Sequence, residues 1–260
     1  MTIDVTVPRS WTELTQEQLR FLLSAMVSVN RACANIAFPS REAYIAHTVA
    51  RVQTICFLEW TGITLVTPYA SGYLFKYGDQ EFTLPAAVLA SALTHLEWIR
   101  LPPSEPVRLD IVDGAEAIPA DLSSGLSFDS WLTCETLWQR YQHTPDDTLL
   151  WQMAAILYRK DDIRPDPAAT LGIFFWWAGV KNLVSLQFPD FFKKIPDDDE
   201  PLPPSYEELR RDINAQIRAL TKGDITKEQE ILAFDAMRAL TELDAQAREY
   251  DELNRKYSKT

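Results

Sequence analysis

Apolar positions recur at helical spacing along most of this chain, and capping signals mark where the helices begin. Ile3, Val5 and Val7 alternate with polar residues before Pro8, the signature of a short strand. Ser10-Trp-Thr-Glu13 and Thr15-Gln-Glu-Gln18 both have capping-box spacing, in which a hydroxyl accepts from an orphan N–H and the acid or amide reaches back. The second box opens a helix with Leu19, Leu22, Leu23 and Met26 on one face, and Trp11 and Leu14 are placed to staple its first turn. A second helix is predicted from about Arg41 to Trp60, stopped by a left-handed Gly62. Tyr73–Tyr77 and Gln80–Leu84 flank Gly78-Asp79, which predicts a hairpin with a type II′ turn; Ile63–Val66 is a third strand candidate. Pro85 suits the first turn of a helix to about Arg100, and Val107–Val112 reads as one more short strand.

From Ser127 the spacing is helical again: Asp129–Gln142, Asp146–Lys160, then an apolar helix from about Pro167 to Gln187, ended by Pro189. At Ile195 the composition changes. Pro196–Pro204 holds four prolines and four acids and reads as a stiff, solvated linker. Ser205-Tyr-Glu-Glu208 caps a helix to about Thr221, Lys222-Gly-Asp224 is a turn, and Thr226–Gln229 caps a last helix to about Lys256. In that helix Ala236, Leu240, Leu243, Ala247, Tyr250, Asn254 and Tyr257 alternate steps of four and three, a heptad seam weakened by Ala and Asn. The predicted architecture is α+β and mainly α-helical. Residues 1–195 form a helical core domain with a small antiparallel hairpin at 73–84, residues 196–204 the linker, and residues 205–260 an acidic helical hairpin. That hairpin either rests on the core, projects as an arm that docks on a partner, or stays partly disordered.

Charge narrows the choice of partners. The 260 residues carry 37 acids and 25 bases, net −12, with half of the excess in residues 197–260, so neither nucleic acid nor an anionic membrane surface is expected as a partner. The most apolar run, Ala168–Val180, is 13 residues long against the roughly 20 a membrane span needs. The N-terminus has no secretory-leader pattern, and three scattered cysteines fit a reducing compartment; the expected location is the cytoplasm.

Catalytic signatures are sparse. His47, His95 and His143 are isolated, no Cys/His metal spacing occurs, and His47 and Cys56 stand about 13 Å apart by helical rise. No nucleophile-elbow or P-loop pattern is present, and Asp197–Glu200 lacks the ligand spacing of a calcium loop. The expectation is therefore a non-enzymatic protein with no cofactor. The unusual feature is Phe174-Phe175-Trp176-Trp177, followed by Phe191 and Phe192, with Lys193-Lys194 as a polar rim. Four consecutive aromatics cover more than one helical face: the helix is either central and buried all round, or one face meets another molecule. The candidate interface is that set together with Leu240, Leu243, Tyr250 and Tyr257, the last four also offering self-association through the C-terminal helices.

The opening Val7-Pro-Arg-Ser-Trp-Thr-Glu-Leu-Thr-Gln-Glu-Gln-Leu19 resembles the P-x-S-W-x-E-L-T-x-x-Q-L start of small uncharacterised proteins encoded in tailed phages and prophages of Bacteroidetes hosts. The later order is similar too, down to an F-P-x-F segment at Phe188-Pro-Asp-Phe191, so the resemblance spans roughly residues 5–195. It implies a virion-assembly role, with a tail-assembly chaperone-like factor that shields a tail component as first expectation. A structural neck or tail-completion subunit, resident in the virion, is the alternative, and an enzyme with a site not visible in sequence the second.

Overall fold

A computed structural model describes residues 5–69, 71–193 and 205–257. It is mainly α-helical with two small antiparallel sheets, and it groups into two compact units. The first comprises Met1–Pro103 with Asp166–Gly172; the second comprises Ser104–Pro165 with Ile173–Thr260.

In the first unit, the Thr15–Gln18 capping box forms and opens α1 (Gln16–Cys33), which packs on α2 (Arg41–Thr61). Gly62, at φ +68°, ends α2 as expected, its N–H and that of Ile63 returning to the Glu59 and Leu58 carbonyls. The strands β1 (Thr64–Tyr69), β2 (Gly72–Tyr77) and β3 (Gln80–Pro85) follow in the order β1-β2-β3. At the hairpin tip Gly78 has positive φ and Asp79 does not, which fits a type II′ turn. Phe75 is buried at the centre of β2, and the open edge strand β1 carries a bulge and Pro68, features that discourage further pairing. The helix expected from Pro85 to Arg100 divides into α3 (Ala86–Leu93) and a 3₁₀ segment, Thr94–Arg100. Indoles lock the N-terminal segment to that segment. Trp11 donates to the Leu101 carbonyl, Trp98 donates to Pro8, and the two rings meet edge to face at 5.6 Å. The Ser10 box does not form: Ser10 makes no capping bond, and Glu13 instead accepts from the Arg9 N–H around a 3₁₀ turn. The strand expected at Ile3–Val7 is absent over its described part, where Val5–Val7 are irregular.

The second unit opens with a two-residue ladder, β4 (Ile111–Val112) and β5 (Ala115–Glu116), turning on Asp113-Gly114. Both turn residues have positive φ, the type I′ geometry that Asp-Gly favours. Asp113 holds this tip in place by accepting from Lys160 Nζ and the Arg164 N–H. Then come α4 (Phe128–His143), α5 (Asp147–Leu157), α6 (Pro167–Gln187, from Ile173 onward), α7 (Tyr206–Thr221), the short α8 (Glu228–Leu232) and α9 (Ala236–Tyr257). Gly179 on α6 is required by close approach: a Cβ there would stand 2.7 Å from the Glu105 carbonyl oxygen and 2.8 Å from Pro106 Cα.

One further expectation needs correction. The last helix does not run unbroken from Thr226. Asp224 caps a 3₁₀ turn, α8 ends at Leu232, and Asp235 caps α9 by accepting from the Met237 and Arg238 N–H groups. The break exists because this backbone is spoken for elsewhere: Ser127 bridges Asp235, Phe128 N donates to the Phe234 carbonyl, and Ala236 N donates to Leu126. The same bonds tie the start of α9 to residues 126–128, and 205–257 groups with the residues after Pro103. The linker expected at 196–204 lies outside the described residues.

Candidate functional site

The aromatic run on α6 divides into two pairs. Trp176 and Trp177 are fully buried. Trp176 donates to the Ala120 carbonyl at 2.7 Å and meets Tyr158 edge to face. Trp177 lies against Trp131 with ring centroids 5.2 Å apart, and its buried Nε1 has no hydrogen-bond partner among the described residues. Phe174 and Phe175 are half-buried, Phe174 between Trp138 and Tyr141 of α4. By length and composition alone α6 would suffice to cross a membrane, yet half of its most apolar window is buried within the protein. Of the two readings of Phe174–Trp177, the central-helix one describes the tryptophans, which offer no surface to a partner.

One turn beyond the tryptophans, Lys181 makes an ion pair with the mostly buried Glu135 and lies over the rings of Trp131 and Phe192. The segment after α6 is fastened by α9. Asp244, 8% exposed, accepts from the Asp190 and Phe191 N–H groups at 2.9 and 3.0 Å through one oxygen. Lys193 pairs with Asp251, and Arg248 Nη1 lies 3.9 Å from an Asp190 oxygen. Phe191 and Phe192 are half-buried in this fastening. Lys194, expected in the rim, lies outside the described residues.

Along α9 the seam changes character. Leu240 and Leu243 are buried, which removes them from the candidate interface; α9 packs there on α4 and α7. The same helical face continues to Tyr250, Leu253 and Tyr257, which are 65, 50 and 78% exposed. From Arg248 to Tyr257 every residue except Asp251 is exposed. Of the ten interface candidates, then, only Tyr250 and Tyr257 present large open apolar surface. Leu253 was missed because the heptad frame selected Asn254, although Leu253 is three residues from Tyr250 and four from Tyr257.

All three histidines are exposed. His143 borders a hollow of about 280 Å³ with Arg140, Asp146 and Tyr206. Asp146 is already engaged there as the cap of α5, accepting from Thr148 N–H; this bond lowers its pKa and ties up one of its two oxygens. Desolvation pushes the Cys56 thiol up to about 12 and raises Cys134 as well, so neither supplies a thiolate nucleophile. Among the described residues no three His, Cys, Asp or Glu side chains cluster as metal ligands. Compared with models of known protein families, with curated proteins and with solved structures, the chain has no match.

Proposed function

We propose that this chain is a non-enzymatic virion-assembly protein of a tailed phage or prophage, a tail-assembly chaperone-like factor that works through protein–protein contacts. The observation that carries the contact part is the apolar face of α9, buried at Leu240 and Leu243 and open at Tyr250, Leu253 and Tyr257. An exposed stripe at i, i+3 and i+7 is the form in which a helix docks in a partner's groove. The phage part rests on the resemblance of residues 7–19. Within this chain those residues have folding work, since Trp11 and the Thr15 box fasten α1 and its preceding turn. The net charge of −12 supports the reading by keeping such a protein soluble while a sticky stripe is open.

The test is co-purification of the tagged chain expressed from its own gene neighbourhood, followed by mass spectrometry, in parallel with a Leu253→Asp variant. Recovery of a tail component by the unaltered chain and its loss with the variant supports the proposal. Recovery of no virion protein, or equal recovery by both, contradicts it.

A further inference from the structure

We propose that Asp113-Gly114, at the tip of the β4–β5 ladder, is a guarded site of spontaneous covalent modification. Contacts from Lys160 and Arg164 keep its peptide bond α-linked, and opening of the tip lets it rearrange through a cyclic imide to the β-linked isomer. The proposal does not depend on the phage reading.

Among the aspartates and asparagines of the chain, only Asp113 is followed by glycine. The residue after an aspartate decides how easily its backbone nitrogen reaches the side-chain carboxyl carbon, because a Cβ crowds that approach and glycine has none. Asp113 and Gly114 are both exposed, so water has access to the bond. In the first step the Gly114 nitrogen attacks Asp113 Cγ; a C–N bond forms, and the carboxyl hydroxyl leaves as water with the amide proton. Water then adds to the cyclic imide. Opening at the original main-chain carbonyl leaves Gly114 joined through Cγ, with a free α-carboxylate and one more methylene in the backbone. The water lost is regained, and the sequence uses no oxidant, reductant or cofactor.

The fold opposes the first step in two ways. Loss of water needs the protonated carboxyl, and here the carboxylate is the favoured form. Asp113 Oδ2 accepts from Lys160 Nζ at 2.8 Å and from the Arg164 N–H at 3.2 Å. Those two bonds, with the Lys160 and Arg164 charges, lower its pKa, and each unit of lowering cuts the protonated fraction about tenfold near neutral pH. Lys160 Nζ also donates to the Asp113 carbonyl at 2.7 Å. Side chain and main chain of the same residue are thus pinned, which fixes the torsions through which the ring would have to close. The guard is as durable as the tip, and the tip is an exposed ladder of two residue pairs, the kind of element that opens locally. Rearrangement would make such an opening permanent. The added methylene does not fit the two-residue type I′ loop that sets Val112 opposite Ala115, and the carboxylate that Lys160 held moves to Cα.

The test incubates the full chain at about pH 6, folded in buffer and unfolded in guanidinium chloride, then digests both. Liquid chromatography with mass spectrometry follows the peptide carrying Asp113: the imide is one water lighter, and the β-linked form separates at equal mass. The unfolded chain should lose α-linked Asp113 about tenfold faster or more than the folded chain. Asp79, at the other hairpin tip but followed by Gln80, is the internal reference and should stay α-linked far longer in both. In buffer, Lys160→Ala should speed the loss at Asp113 about threefold or more, whereas Lys160→Arg keeps a cation on the carboxylate and should match the unaltered chain. Far-UV circular dichroism checks that both variants stay folded; should Lys160→Ala unfold, the comparison of folded and unfolded unaltered chain decides alone. The proposal is overturned by equal rates in the folded and unfolded chain, or by no β-linked Asp113 in the unfolded one. It is overturned equally by a folded Lys160→Ala variant that rearranges no faster than the unaltered protein.

Discussion

Trp176 and Trp177 are adjacent, equally buried and in the same unit, yet their indole N–H groups have opposite situations. That difference yields a controlled experiment. Replacing either with Phe removes about 40 Å³, and at about 24 cal/mol per Å³ of residual cavity this costs about 1 kcal/mol. At Trp176 the substitution also removes the bond to the Ala120 carbonyl, worth about 1–2 kcal/mol, for a total of about 2–3 kcal/mol. At Trp177 the lost N–H had no partner among the described residues, and deleting a buried unpaired donor returns about 1–3 kcal/mol of desolvation. Trp177→Phe should therefore fall between about −2 and 0 kcal/mol, neutral to stabilising, and the two variants should differ by at least about 2 kcal/mol. Urea unfolding followed by far-UV circular dichroism measures this, with the slope held equal between variants. The Ala variants serve as control: both should lose about 3–5 kcal/mol, because loss of the ring dominates. Equal costs for the two Phe variants, or a larger cost at Trp177, would refute the reasoning.

Further outcomes follow from single contacts. Asp244→Ala leaves the Asp190 and Phe191 N–H groups without their carboxylate, so it should cost about 2–4 kcal/mol, and hydrogen exchange at those two amides should accelerate. Gly179→Ala drives a methyl into the Glu105–Pro106 backbone and should destabilise by about 1–3 kcal/mol, seen as a lower melting temperature, whereas Gly62→Ala has open space and carries only the left-handed strain of about 1 kcal/mol. The carboxyl of Asp113 is held below the ordinary Asp value by its bond from Lys160 first and by the Arg164 N–H second. Its folded pKa is depressed, so its contribution is complete above the ordinary value of 3.8 and is lost as pH falls below that value through the folded pKa. Asp113→Asn should accordingly flatten the acid limb of a stability–pH curve and leave its neutral part parallel. All three thiols are buried, so labelling with Ellman's reagent should be slow in the native protein and reach three per chain in urea.

Local chemistry made much of the fold legible in the sequence. Thr15 and Ser205 announce α1 and α7 because a box needs only residues three apart, and Gly62 and Gly78 mark a stop and a turn that require positive φ. Asp113-Gly114 carried the same kind of signal for the second ladder, and reading 107–112 as one strand passed over it. What stayed hidden was long-range. The interruption before α9 contains neither Gly nor Pro; it exists because Phe234 and Asp235 pair with residues more than a hundred positions earlier. The grouping of 104–165 with 173–257 likewise rests on distant pairs, such as Trp176 with Ala120 and Asp244 with Asp190. At the candidate surface, periodicity placed Leu240, Leu243, Tyr250 and Tyr257 on one face. It could not show that the first two are buried and the last two exposed, since helical spacing records direction and not the extent of the neighbour.

The most direct measurement is the copy number of this chain in purified phage particles, set against its abundance in the lysate from which they assemble. A protein that only assists assembly should be abundant in the lysate, bound to a tail component, and absent from finished particles. A fixed whole-number stoichiometry in those particles would contradict the chaperone-like role and make the chain a structural subunit.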